Sequence, residues 1–546
     1  MENQLKFNRF GIMLECSRNA VPNLEFLKSF IDDIADMGYN CLQLYTEETY
    51  EMDGEPFWGY LRGRFTKNEL KEINAYGKEK GVELIPCIQT LAHVNQAVRW
   101  YPYYDFCDCN DILLIGDERT YALIDKMFAT MRECFDSEYI NIGMDEAHFV
   151  GLGKYLDKNG YRNRFDIILE HLTKVVEIAK KYNFKPAMWS DMFFRLANNG
   201  TYTCKNPKPI PPEVQEKVPN EVSLIYWDYY SKDKETFDNM VKGHLGFKNE
   251  IWFAGGVWSW GGFTPSNFTS LEAHDIAINS CIEFGIKNVL VTLWGDNGHE
   301  TSKLATHAGL FYTACLAKGI TDVDVIDKLF AEKYGVTMRD FLKIDNANVI
   351  QEKPTLENHI GSKANNPSKY MFYNDLLLGF CDKTVKDGVE DLYKQYAEEL
   401  KPLTKHPKFG YVFDVQQKLC EVLAIKYALG VKLRTAYKAG DKKALKKHVS
   451  LIKPLIKKVE LFYNALEKQW FTENKPHGFE VQDARIGGVI KRLEHSYERL
   501  NAYLKGAIKN LPELEEEILP PYNNPEKAGF TEYKNLYHLN VTTSVL

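Results

Sequence analysis

The chain has 546 residues, 45% hydrophobic and 26% charged, which is ordinary globular usage and excludes a disordered chain, a collagen or a coiled-coil rod. At about 150 residues per domain the length allows three to four domains, although one α/β barrel can absorb 250 or more. Its 68 basic and 75 acidic residues leave a net charge of -7, which argues against a nucleic-acid partner.

The first residues, MENQLKFNRFGIML, lack an apolar signal core and a small-residue cleavage site, so no secretory signal is expected. No apolar run reaches the length of a membrane span, so no membrane contact is expected either. This reading places the protein in the cytoplasm. The 11 Cys scatter from Cys16 to Cys420, an odd count that fits reduced thiols. Cys107 and Cys109 form a CxC, but no second pair stands at zinc-site spacing, so neither a metal nor another cofactor is expected.

Short apolar runs then alternate with amphipathic stretches. The expected strands are Phe10–Glu15, Cys41–Tyr45, Val82–Ile88, Tyr139–Met144, Pro186–Trp189, Val222–Trp227, Ile251–Phe253 and Asn288–Trp294. Between them, the segments beginning at Asn23, Tyr121 and Arg164 place apolar residues three and four apart, which predicts helices, with Asn23 as an N-cap. Strands alternating with helices imply parallel βαβ units, and eight of them imply a (β/α)8 TIM barrel over residues 1–325. A doubly wound sheet would want a Gly-rich loop after the first strand, and GIMLECSRN is not one. The polar, Pro-rich stretch 198–220 predicts a long loop, and 351–369 reads as a linker. Beyond it, EDLYKQYAEELKPL and LIKPLIKKVELFYNALEKQ carry a helical period and predict a helical C-terminal domain over 326–546, a candidate surface for homodimer pairing. The basic run 438–450 reads as a solvated helix face.

In a barrel, chemistry sits where strands end. The ends here carry Glu15 and Arg18, Glu47, Gln89 to His93, Asp145-Glu146, Trp189 and Asp191, Trp227-Asp228, Trp258, and Trp294 with Asp296. Eight of the nine Trp lie between Trp58 and Trp294, and flat apolar rings suit sugar faces. The strongest signal is NIGMDEAH, Asn141 to His148, in which an apolar strand stops at two adjacent carboxylates. On a regular strand neighbours face opposite ways, but at a strand end both can reach one cleft, and like charges that close raise at least one pKa. Adjacent carboxylates suit neither spacing of the usual two-carboxylate glycosidases. They suit substrate-assisted hydrolysis, in which the sugar's own 2-acetamido oxygen is the nucleophile. Taken singly, each feature has a bland reading. DE pairs are common on surfaces, His93 reads as a loop or core histidine, Trp189 as core, Arg18 as a partner for Glu15, and Asp296-Asn297-Gly298 as a turn. Joint placement at the strand ends is what favours a site.

On these motifs the sequence resembles glycoside hydrolase family 20, the β-N-acetylhexosaminidases, in the branch of bacterial N-acetyl-β-glucosaminidases without the usual N-terminal α/β domain. The resemblance covers roughly residues 7 to 310, with NIGMDEAHFVGLGKYLD from Asn141 and YNDLLLGFCD from Tyr373 similar to that branch in particular. It implies an exo-acting retaining enzyme releasing terminal β-linked GlcNAc or GalNAc through an oxazolinium intermediate. Glu146 would be the acid/base, and Asp145 would orient the acetamido group. GIMLECSR resembles the first-strand motif, with Glu15 for its Asp. Phe10 stands where the family has its sugar-gripping Arg, so Arg9 or Arg18 would replace it. IPCIQTLAHVNQA resembles the IPEIDxPGH segment, matching His93. Trp189 with Asp191, Trp227, Trp258, and Trp294 with Asp296 would wall the sugar pocket. The family's Tyr-x-Asp after the seventh strand is missing from GGVWSWGGF, and Tyr226-Trp227-Asp228 has that spacing on the sixth. Tyr226 and Tyr229 both stand open as the acetamido hydroxyl. The partner implied is a small glycoside or oligosaccharide. Two rival classes are a metal-dependent barrel hydrolase using His93, Asp145, His148 and His299, and a non-catalytic sugar-binding protein.

Overall fold

The computed structural model describes residues 4–350 and 353–520. Residues 351–352 of the expected linker and 521–546 of the expected C-terminal domain lie outside the described residues. Eight parallel strands close into a barrel: β1 (Arg9–Glu15), β2 (Cys41–Tyr45), β3 (Glu83–Cys87), β4 (Tyr139–Asn141), β5 (Lys185–Trp189), β6 (Ser223–Trp227), β7 (Ile251–Gly256) and β8 (Asn288–Leu293). Each strand pairs with its neighbour in sequence, and β1 closes the ring on β8 from Arg9↔Asn288 to Leu14↔Leu293. These runs form strands because nearly every residue is covered on both faces. In β8 (NVLVTL) all of them are buried, the pattern of a parallel sheet under helices.

Helices α1 (Leu24–Met37), α2 (Lys67–Glu79), α3 (Glu118–Cys134), α4 (Arg164–Lys181), α5 (Asp191–Ala197), α6 (Lys234–Leu245), α7 (Asn267–Glu283) and α8 (His307–Ala317) intervene or follow. Their starts are set by side chains. Asn23 accepts the Phe26 N–H at the head of α1, and Thr66 and Glu69 form a reciprocal capping box on α2, each such cap contributing about 1 kcal/mol.

Two strands differ by three residues from their sequence pattern, and five others by one or two residues at their ends. β4 stops at Asn141 rather than running to Met144, because the chain turns left-handed at Gly143. β7 continues to Gly256, since Ala254, Gly255 and Gly256 keep parallel register with Leu290, Val291 and Thr292.

The chain forms two compact units. The first takes the residues up to Val257 together with Ser270–Trp294 and Gly309–Ile326. The second takes Trp258–Thr269, Gly295–Ala308 and the residues from Asp327 on. Its main helices are α9 (Val389–Leu400), α10 (Gly410–Lys426), α11 (Ile452–Glu473) and α12 (Glu480–Leu504). Their apolar faces meet in a core that includes Phe263, Phe372 and Phe462, with ring centroids 5.0–5.3 Å apart. Within this unit Glu300 is buried between Lys369 at 2.7 Å and Arg485 at 3.0 Å. Arg485 also donates to the Asn297 carbonyl at 2.6 Å, and Gln469 to that of Glu300 at 3.1 Å. The run at 438–450 forms a short helix, Lys442–Val449, with Leu445 and Val449 inward and most of its lysines exposed.

Candidate active site

The site of the first unit is built where β4 breaks. Gly143 (φ +71), Met144 (φ +72) and Glu146 (φ +51) all adopt left-handed backbone, which costs a non-glycine residue roughly 1–2 kcal/mol. Two hydrogen bonds hold it. The Met144 N–H donates to Gln89 Oε1 at 3.2 Å, and the Glu146 N–H donates to Asp191 Oδ2 at 3.1 Å. Position 143 has to be glycine, since a Cβ there would lie 2.0 Å from Gln89 Oε1. The turn cancels the alternation of a regular strand, so the adjacent carboxylates reach the same imidazole. His93 Nε2 lies 3.2 Å from Asp145 Oδ2 and 3.6 Å from Glu146 Oε2.

The rest of the constellation fixes the two carboxylates differently. Asp145 is buried and accepts from Gln89 Nε2 at 2.7 Å. Burial pushes its carboxyl up, but the His93 charge and the Gln89 amide outweigh this and hold it below the usual range. Burial likewise pulls His93 down, and the Asp145 carboxylate reverses that, pushing the imidazole up to about 10. At these distances the attraction to both carboxylates is mainly that of an ion pair, which depends on distance rather than angle. Glu146 is half-exposed, and its Oε1 accepts from Arg195 Nη2 at 3.1 Å. Arg195 also donates through Nε to Asp191 Oδ2 at 2.8 Å. Asp191 is fully buried, and burial together with the Asp145 charge pushes it up to about 7.

The sequence names Gln89 only as the start of a strand end, with no role, and does not mark Arg195. Gln89 has one possible orientation. Its amide nitrogen donates to Asp145 and to the Tyr45 hydroxyl at 2.9 Å, while its oxygen takes the Met144 N–H. Tyr45 in turn donates to Glu47 at 3.1 Å, and burial pushes Glu47 up to about 8. The signal for Arg195 was its spacing, four residues after Asp191 and therefore on one face of α5.

Aromatic rings wall the same region. Trp294 meets Tyr45 edge-on at 4.8 Å and Trp189 at 6.2 Å. Trp227 stacks on Tyr229 at 5.2 Å. Tyr229 is buried, and burial, aided by the Asp145 charge, pushes its phenol well up. Arg18 lies 5.4 Å from the Trp294 ring and pairs with Glu15 at 3.0 Å, and Glu15 also accepts from Ser17 at 2.6 Å.

Tyr226, Asp228 and Arg9 are placed elsewhere in the first unit, and Trp258 and Asp296 have contacts within the second. Tyr226 packs its ring against Phe237 and His244 of α6, and its hydroxyl donates to Asp228 at 2.7 Å. Asp228 also accepts the N–H groups of Tyr230 and Ser231, both at 3.0 Å, which is turn chemistry. Arg9 sits at the opposite, N-terminal end of the strands, 3.2 Å from Glu83 and over the Tyr139 ring. Of the two arginines weighed for the position that Phe10 takes, Arg18 lies at the strand ends, against Glu15 and 4.0 Å from Glu47, and Arg9 does not. Trp258 and Asp296 belong to the second unit, where Trp258 stacks on Trp260 at 4.2 Å and the Asp296 carbonyl accepts the Gly261 N–H at 3.1 Å.

Of the rival metal ligands, His148 is exposed and His299 belongs to the second unit. Among the described residues no three His, Cys, Asp or Glu side chains converge as a metal site. The CxC lies in a small hairpin, Cys107–Cys109 against Ile112–Leu113, whose middle residue Asp108 accepts the N–H groups of Gly151 and Tyr155 at 3.0 and 2.8 Å.

The model for the glycosyl hydrolase family 20 catalytic domain matches residues 7–242, and that for the glycoside hydrolase 20C C-terminal domain matches residues 339–532. The chain belongs to glycoside hydrolase family 20. Among its family 20 relatives, a β-hexosaminidase of Akkermansia muciniphila is 28% identical over 174 residues, 25% of this chain and 34% of that one. β-Hexosaminidase 1 of Arabidopsis thaliana is 19% identical over 208 residues, 35% and 38% of the two chains. The chain spans about a third of the length of the curated relatives it matches. A solved exo-β-N-acetylglucosaminidase of Vibrio harveyi, in complex with N-acetylglucosamine, is 15% identical, with a TM-score of 0.45 over 63% of this chain and 59% of that one. No helix among the described residues is long and apolar enough to cross a membrane.

Proposed function

We propose that this family 20 chain is an exo-acting, retaining β-N-acetylhexosaminidase that releases a terminal 2-acetamido sugar by substrate assistance. The observation that carries this reading is the shared imidazole, with Asp145 and Glu146 3.2 and 3.6 Å from one His93 nitrogen. Both carboxylates come from one strand end, whereas covalent two-carboxylate catalysis places them on opposite sides of the sugar, about 5–5.5 Å apart.

The two acids then have separate work. Asp145, held ionised by His93 and Gln89, accepts the acetamido N–H and stabilises positive charge as the acetamido oxygen attacks the anomeric carbon. Glu146, half-exposed, gives its proton to the leaving oxygen as the glycosidic bond breaks. It then takes a proton from the water that opens the oxazolinium ring, restoring the starting state. Tyr229, rather than the outward-packed Tyr226, is the hydroxyl for the acetamido oxygen. Trp189, Trp227 and Trp294 enclose the sugar, and Arg18 with Glu15 grips its ring hydroxyls.

Aryl 2-acetamido-β-glycosides assayed beside plain aryl β-glucosides test this. Cleavage confined to the acetamido members is expected. Equal cleavage of both would overturn substrate assistance, and cleavage of neither would overturn the enzyme reading.

A further inference from the structure

We infer that an exposed aromatic cluster on the loops after β2 and β3 is a stacking platform for the sugars beyond the one released. The inference rests on the function proposed above, and it adds a substrate class: glycans of several rings.

The loop after β2 is rich in aromatics, and they form two layers. Trp58 is buried, with Tyr50 at 5.9 Å and Tyr103 at 6.0 Å, both buried too. This inner layer is ordinary core. Above it Phe57 touches Trp100 at 5.6 Å and Tyr101 at 5.1 Å, and Tyr60 touches Trp100 at 5.2 Å. The outer layer faces water, with Tyr60 42% and Tyr101 70% exposed. Large aromatic side chains grouped in solvent lose hydrophobic stabilisation unless something covers them.

Three observations favour a sugar as the cover. The first is chemical type. The outer layer is Tyr, Trp and Phe, whose flat faces and polar tips match a ring with apolar faces and hydroxyl edges. Arg99, exposed beside the Trp100 ring at 5.1 Å, adds hydroxyl-directed donors.

The second is place. The two loops follow the strands whose ends supply Glu47, Gln89 and His93. Arg62, one residue beyond Leu61, binds Glu48 at 2.9 Å and Asn19 at 3.0 Å and also donates to the Ser17 carbonyl. The platform is thereby tied directly to the segment that holds Glu15, Arg18 and Glu47. In an exo-acting barrel enzyme the terminal sugar sits at the strand ends and the rest of the glycan leaves across the loops that follow them, of which these are two.

The third is rigidity. Gly59, Leu61 and Gly63 all take left-handed backbone, at φ +64, +60 and +67. Arg62, with its bonds to Glu48 and Asn19, and Arg64, which donates to the Trp58 carbonyl, hold this backbone in place, and a fixed loop loses little freedom on binding.

The test compares Trp100→Ala and Tyr101→Ala with wild type on two substrates, chitotetraose and an aryl N-acetyl-β-glucosaminide. A lost ring stack is expected to lower the ratio of kcat/KM for chitotetraose to kcat/KM for the aryl glycoside by about tenfold, carried by KM. An unchanged ratio in both variants would overturn the platform. A wild-type dimer, seen by sedimentation, that both variants dissolve would also overturn it, because a second copy would then be the cover. Calorimetric titration of chitotetraose keeps the two proposals apart. If wild type cleaves neither substrate, the function reading fails, while weaker chitotetraose binding by the variants still supports the platform and equal binding still overturns it.

Discussion

Asp145→Asn removes the charge opposite His93 while keeping the side chain's shape. The two groups are 3.2 Å apart, and at an effective dielectric of about 20 such a pair attracts by roughly 5 kcal/mol before desolvation. Desolvation offsets part of that, and losing one partner of a buried pair commonly costs about 3–5 kcal/mol. The expected loss of unfolding free energy at pH 7 is therefore about 3 kcal/mol.

The pH dependence has a definite sign. His93 is raised from 6.5 to about 10, so its contribution is complete below 6.5 and fades as pH rises through 10. Asp145 is held below 3.8, so its contribution is present above that value and fades as pH falls below it. Wild type should thus be the more stable protein between roughly pH 4 and 10, with the gap closing on both sides. Urea denaturation across that range measures the gap. Imidazole NMR should find His93 protonated in wild type at pH 8 and neutral in the variant, where burial is no longer opposed by Asp145. A wild-type His93 that titrates near 6.5, or two superimposable stability profiles, would refute the reasoning.

Glu146→Gln should lower kcat on an aryl 2-acetamido glycoside by about 10²–10⁴-fold with KM little changed, and full turnover would remove Glu146 from the mechanism. Arg195→Met strips the cation from Asp191, whose carboxyl already sits at about 7 and would rise further. In both proteins a raised Asp191 carboxyl costs stability as pH climbs past 3.8, so the gap to wild type should hold steady below about pH 7 and widen above it, where only wild-type Asp191 has ionised, as read by denaturation at each pH. Gly143→Ala meets both the left-handed backbone and Gln89 at 2.0 Å. A loss of at least about 2 kcal/mol is expected by calorimetry, with activity falling as Gln89 is displaced.

The barrel could be read from the sequence because its strands are short, buried on both faces and spaced by amphipathic helices, a pattern that local residues alone determine. Asp145, Glu146, His93 and Trp294 could be read because they stand at the ends of those strands. Left-handed backbone at Met144 and Glu146 could not, since neither residue prefers it, and it is imposed by Gln89 and Asp191 from neighbouring strand ends. Tyr226 and Asp228 showed the limit of spacing as a guide. A Tyr-x-Asp triplet also forms a self-contained turn, and there the tyrosine hydroxyl is taken up by its own aspartate. Arg9 showed the same limit along a strand, because it begins β1 while the cleft lies at the strand's other end.

The interleaving of the two units bears on how this protein can be cut. Gly295–Ala308 comes directly after β8 in the chain, yet it counts with the helical half, where Glu300 is neutralised by Lys369 and Arg485. A gene shortened after Ile326 would keep the segment and delete both of those cations together with most of the unit that the segment packs in. The C-terminal half is thus no detachable cassette, and shuffling it onto another barrel would mean transplanting two short stretches from the barrel's own sequence along with it.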